Sequence, residues 1–215
     1  MHALYPLGLA SLLFCALLTG RLYFDREWGW LFLGWNLFLA WVPYLISLWL
    51  ATLKQEQRPR WLFGLIIGLV WLAFLPNAPY LVTDLIHLRP REPIPYWYDL
   101  GLFAVLAWTG LFLAVFSLRV MQSLVEGWLG RWPGWLFVLG TVSITGLGVY
   151  IGRFLRWNSW DLLTHPHLIV SEITARLANP LEHPGSVGFT FIMAMLLLIA
   201  YLTITTTSLR ESSQK

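Results

Sequence analysis

The chain has 215 residues, 58% of them apolar and only 12% charged, with a mean hydropathy of +0.65. Soluble domains carry about 25% charged residues, so a water-soluble globule is excluded and a polytopic membrane protein is expected. The net charge of +3 does not point to nucleic acid, because no Lys/Arg cluster long enough to line a groove occurs. The 14 tryptophans fit a membrane protein, since indole favours the membrane–water boundary.

The N-terminal run MHALYPLGLASLLFCALLTG has no basic leader and no small-residue cleavage site, so a retained first helix is expected over 4–23. Its Cys15 is the single cysteine and cannot form an intramolecular disulfide; a buried, inert thiol is expected. Arg21, Asp25, Arg26 and Glu27 form a charge-balanced turn. The second span, 28–53, contains Asn36 and Pro43, seven apart and so on one face. A kink with an amide bonded to a neighbouring helix accounts for both.

A polar loop from Lys54 to Arg60 leads into the third span, 61–88. From Trp61 to Leu75 a helix covers only about 22 Å, whereas continuing to Leu88 gives about 42 Å. A hydrocarbon core of about 30 Å suits neither, so the element must bend or break at Pro76–Pro79. Pro79 fits the first turn of a new helix with Asn77 or its neighbour near the cap. In that second piece Asn77, Tyr80, Asp84 and His87 follow at +3, +4 and +3, one helical face, expected to point inward because lipid-facing Asp and His are costly.

RPREPIP then forms a rigid loop from Arg89 to Pro95, and the fourth span, 96–118, carries Asp99 one turn in. Arg119 to Arg131 reads as a polar connection. The fifth span, 133–156, holds Gly140, Gly146, Gly148 and Gly152, which would allow close helix approach. It ends in RFLRWNSWDLL, with Arg153, Arg156, Asn158 and Asp161. Between His165 and Pro184, Ile169, Ile173 and Leu177 lie opposite Glu172 and Arg176, the pattern of a short interfacial helix. A last apolar span covers 187–209. The fold expected is an all-α transmembrane bundle of about six spans, one domain over 1–215, with a broken third helix.

Six spans put both termini and the second and fourth loops on one side. Seven Lys/Arg fall on that side and seven on the other, so the positive-inside count is tied. Both lysines lie with the termini, which favours cytoplasmic termini in an inner membrane and the polar constellation at the outer face.

Three functions suit that constellation. One is a structural network, in which Arg153 and Arg156 neutralise Asp84, Asp99 or Asp161. Another is a membrane-embedded enzyme on an anionic lipid or head group. There Asp84, His87, Asp99 and Asp161 supply acid–base groups or metal ligands, while Asn77, Arg153, Arg156 and Asn158 hold the substrate. His165 and His167 would complete a metal site, although loop histidines are more often ordinary. HExxH and GxSG are absent. The last is a small transporter, suggested by the broken helix. Metal, cofactor and oligomeric state are left open; membrane lipids are the expected partners, with an anionic lipid as ligand in the enzyme reading.

The strings WNLFLAWVPY, FLPNAPYLVTDLIHL, WYDL and YIGRFLRWNSWDLL resemble the bacterial integral membrane family known as domain of unknown function 1361. The resemblance runs from about the second span to the sixth. It implies a membrane location and fold class but no activity. The matching positions are Asn36, Pro43, Asn77, Pro79, Tyr80, Asp84, His87, Asp99, Arg153, Arg156, Asn158 and Asp161.

Overall fold

The structure is a computed structural model that describes residues 4–55, 61–157, 159, 161–178 and 182–212. The described residues are almost entirely helical: α1 (Leu4–Asp25), α2 (Leu31–Gln55), α3 (Trp61–Phe74), α4 (Asn77–Thr83), α5 (Tyr96–Leu129), α6 (Arg131–Tyr150), α7 (Asp161–Thr164), α8 (Pro166–Ala178) and α9 (Pro184–Ser212). Among them, six stretches are long and apolar enough to cross a membrane, with α3 and α4 jointly supplying the third. The chain is an all-α, multi-pass membrane bundle.

The centre of the bundle is α5, which packs on α1, α2, α4, α6 and α9. It runs 34 residues, about 51 Å at 1.5 Å per residue, and so exceeds a hydrocarbon core of about 30 Å. The polar connection expected from Arg119 is therefore a continuation of this helix. Met121 and Leu124 stay buried, keeping the core-facing stripe alive, and no proline stops the helix until Gly130, at φ 94°, turns the chain into α6. Core hydrogen bonds tie the helices together. Trp71 Nε1 donates to Ser117 Oγ at 2.8 Å, and Ser117 Oγ donates to the Pro43 carbonyl at 3.0 Å.

The break between α3 and α4 follows from its two prolines. Pro79 has no N–H for the Leu75 carbonyl, so Ala78 N donates to it instead, at 3.1 Å. That leaves the Phe74 carbonyl without its helical partner, and the Asn77 side-chain amide donates to it at 2.9 Å. Asn77 thus closes the end of α3 rather than capping the start of α4.

Of the four glycines expected to admit a neighbour, Gly146 lies against the α9 backbone at Thr190 and Ala194, and Gly148 against Pro76. A side chain at Gly152 would meet Tyr80 at 3.4 Å. Gly140 meets nothing, because it faces outward. Cys15 is also exposed, not buried as expected: α1 buries Leu7, Phe14, Leu18 and Arg21, and Cys15 lies off that stripe.

Candidate functional site

The end of the bundle where α1, α4 and α6 finish, and α2, α5 and α9 begin, carries two buried ion pairs. In the first, a five-residue π-helical segment, Ile151–Leu155, follows α6 and projects Arg153 onto α4. Arg153 Nη2 lies 3.2 Å from Asp84 Oδ1, and the same guanidinium donates to the Tyr80 hydroxyl at 3.0 Å and to the Thr83 carbonyl. Asp84 is fully buried, and its other oxygen accepts a 3.1 Å hydrogen bond from Asn36 Nδ2 on α2. Three helices meet on this one carboxylate pair. Both Asp84 oxygens and two of the guanidinium nitrogens are bonded internally, which is what makes an intramembrane pair tolerable, while Arg153 Nε has no hydrogen-bond partner among the described residues.

The second pair departs from expectation. Asp99 is neutralised by Arg21, not by Arg153 or Arg156: Arg21 Nε lies 3.3 Å from Asp99 Oδ1, and Nη2 lies 3.5 Å from Asp25 Oδ2. Arg21 lies one turn before the end of α1, a helix that packs directly on α5, whereas Arg153 reaches α4. Arg21 is completely buried, yet none of its guanidinium nitrogens has hydrogen-bond geometry among the described residues. Its charge rests instead on the Trp30 ring, 4.1 Å from the centroid, with Arg91 over the same ring at 5.1 Å.

The remaining expected site residues scatter. His87 sits in a 3₁₀ turn, Asp84–His87, with its ring edge-on to Phe32 at 5.3 Å, and among the described residues it hydrogen-bonds to no carboxylate. Arg156 is exposed, in the left-handed region at φ 59°. Asp161 opens α7 and accepts from Thr164 Oγ1 at 3.5 Å. Asn158 lies outside the described residues, as does the side chain of Leu177. The His165 ring lies tilted against Trp157, with centroids 6.2 Å apart, and its Nδ1 is 3.0 Å from Thr164 Oγ1. Among the described residues no three His, Cys, Asp or Glu side chains converge as a metal site. On α8, a hydrogen bond from Arg176 to Glu172 raises the arginine pKa further above its ordinary value.

Beside the Asp84–Arg153 pair lies a cleft of about 360 Å³, within the range of about 300–1,000 Å³ common for ligand pockets. One end is polar, lined by Asn36, Asn77, Tyr80 and Ser159. The walls are apolar, from Leu39, Leu69, Leu72, Ile144, Leu147 and Ile151, and the Ile169–Ile173 face of α8 lies across it. Trp35, Leu69 and Ile144 are at least half exposed, so the cleft opens sideways into what a membrane would fill with lipid. Of the expected site residues among the described ones, only Asn77 lines it; Asp84 and Arg153 stand behind Asn36 and Tyr80.

Sequence reasoning missed Arg21, Trp30 and Ser159. Arg21 and Asp25 carried a sign, an opposite-charge pair four apart at a helix end. Ser159 carried none, since it reaches the cleft through a loop, where Asn77 Nδ2 donates to it at 2.9 Å. No curated protein and no solved structure matches the chain significantly. The family model described as "Protein of unknown function (DUF1361)" matches residues 35–200, a range that holds Asn36, Asn77, Asp84, Asp99, Arg153 and the whole cleft. The chain belongs to the DUF1361 family, and is a multi-pass membrane protein of that family.

Proposed function

We propose that the chain is an inner-membrane protein whose cleft holds a membrane amphiphile, and that the charged constellation is the structural pin of that cleft. The observation that carries this reading is the division of labour around Asp84. Its carboxylate, Arg153, Asn36 and Tyr80 are bonded to one another, while Asn36 and Tyr80 also form the polar end of the cleft. A buried carboxylate committed to a guanidinium and an amide is poorly placed as a general base. Away from the polar end the walls are apolar, which suits an acyl chain better than an ion path. The test is native mass spectrometry of protein released from nanodiscs of mixed phospholipid and neutral glycerolipid. Wild type should retain a stoichiometric lipid that Ala73→Trp and Leu69→Trp lose at unchanged melting temperature. Equal lipid retention by all three proteins would overturn the reading.

Cytoplasmic termini are part of the same proposal. Arg21, Arg153 and Arg176 each pair with a carboxylate, which leaves Arg26, Arg89, Arg91 and Arg156 to orient their side. Against these four stand six Lys/Arg on the terminal side, even with Arg119 set aside. In a Cys15→Ser background, a membrane-impermeant thiol reagent should label Arg89→Cys in intact cells and Lys215→Cys only after lysis. The reverse pattern would invert the topology.

A further inference from the structure

We infer that the lipid held in the cleft carries an uncharged, hydroxyl-bearing head group, not an anionic one. This rests on the cleft being a lipid site, and it names the class of lipid. Every described side chain lining the cleft is uncharged. The nearby guanidinium that an anionic head would need, Arg153, is turned to Asp84, Tyr80 and the Thr83 carbonyl.

The polar atoms left over at the cleft's end have a definite character. Asn36 gives its amide nitrogen to Asp84, and Asn77 gives its nitrogen to the Phe74 carbonyl and Ser159. These bonds fix both amide orientations and leave the two Oδ1 atoms as acceptors without a partner among the described residues. The Tyr80 and Ser159 hydroxyls each accept one bond, from Arg153 and Asn77, and keep their own protons to donate. Two carbonyl-type acceptors beside two hydroxyl donors match a head group that both donates and accepts. A glycerol hydroxyl does both. A phosphate would set its charge against two carbonyl oxygens with no cation among the described lining residues, and a buried polar mismatch of that kind costs affinity. An ammonium head would find acceptors but no carboxylate among the described residues lining the cleft to neutralise it.

The experiment offers the purified protein an equimolar mixture of monooleoylglycerol, monooleoyl phosphatidate and oleylamine, with adducts read by native mass spectrometry. Ala73→Trp and Leu69→Trp serve as cleft-filled controls. Leu69 is 59% exposed, so its variant folds even where Ala73→Trp does not. Wild type should retain monooleoylglycerol at least tenfold over the other two, and the filled variants should lose that preference. Retention of the phosphatidate or the amine, abolished in the filled variants, would leave the cleft as a lipid site and overturn the head-group assignment. Retention that ignores Ala73→Trp and Leu69→Trp would overturn both.

Discussion

The two buried arginine–aspartate pairs sit at the same end of the bundle and are built in opposite ways. Asp84–Arg153 is stitched by hydrogen bonds from Asn36, to Tyr80 and to the Thr83 carbonyl. Arg21 has charge contacts of 3.3 Å to Asp99 and 3.5 Å to Asp25 without hydrogen-bond geometry, and a tryptophan face in place of acceptors. The first positions side chains that line a cleft; the second only joins α1 to α5. A charge pair that other polar groups depend on cannot be exchanged for apolar side chains, whereas an isolated one can.

That contrast breaks most visibly under single substitutions. Asp84→Ala strands a nearly buried guanidinium and removes the acceptor of Asn36, and should cost about 3–5 kcal/mol in reversible unfolding in detergent. A cost below about 1 kcal/mol would remove the pin from the account. The apolar double exchange Arg21→Met with Asp99→Leu, made in an Asp25→Asn background so that the second partner of Arg21 is not left an unpaired carboxylate, should be neutral or stabilising by about 1–4 kcal/mol. The corresponding exchange at Arg153 and Asp84 should remain destabilised by about 1–3 kcal/mol, because Asn36 is left unpaired. Equal behaviour of the two doubles would erase the distinction.

Trp30→Leu should cost about 2 kcal/mol, since Arg21 loses its π face, and Asp99→Leu with Arg21→Met should reduce that cost, the remainder belonging to the contacts of Trp30 with Arg91 and Phe103. The smallest effect belongs to Arg156→Gly. Arg156 is exposed and left-handed, so glycine should change stability by no more than about 1 kcal/mol and leave lipid retention unchanged. Loss of the lipid in that variant would return Arg156 to the binding site.

The helices were legible because each apolar run approaches bilayer length, and the α3–α4 break because proline removes a donor where a helix would otherwise overrun the membrane. Asp84 and Arg153 stood out as charges in apolar sequence. Their pairing was only one of several combinations, since spacing orders residues along a helix but does not say which helix faces which. For that reason Asp99 was matched to the wrong arginines, and Arg21, written off as part of a turn, proved to be buried. The cleft was harder still to read. Most of its lining residues are ordinary apolar side chains, drawn from α2, α3, α4, α6, the π-helical segment, the loop after it and α8, and the π-helical segment that turns Arg153 inward has no composition of its own.

The central claim is that the Asp84–Arg153 pair holds the cleft and does no chemistry in it. The most direct measurement is lipid retention and unfolding free energy of the uncharged double variant Asp84→Asn with Arg153→Gln. Asparagine and glutamine can keep hydrogen bonds to Asn36, Tyr80 and the Thr83 carbonyl while both charges are gone. The account predicts that this double recovers most of the stability lost in Asp84→Ala and retains the same lipid as wild type. A folded double variant that no longer holds the lipid, or that accumulates it unchanged where wild type converts it, would contradict the account and make the charges functional.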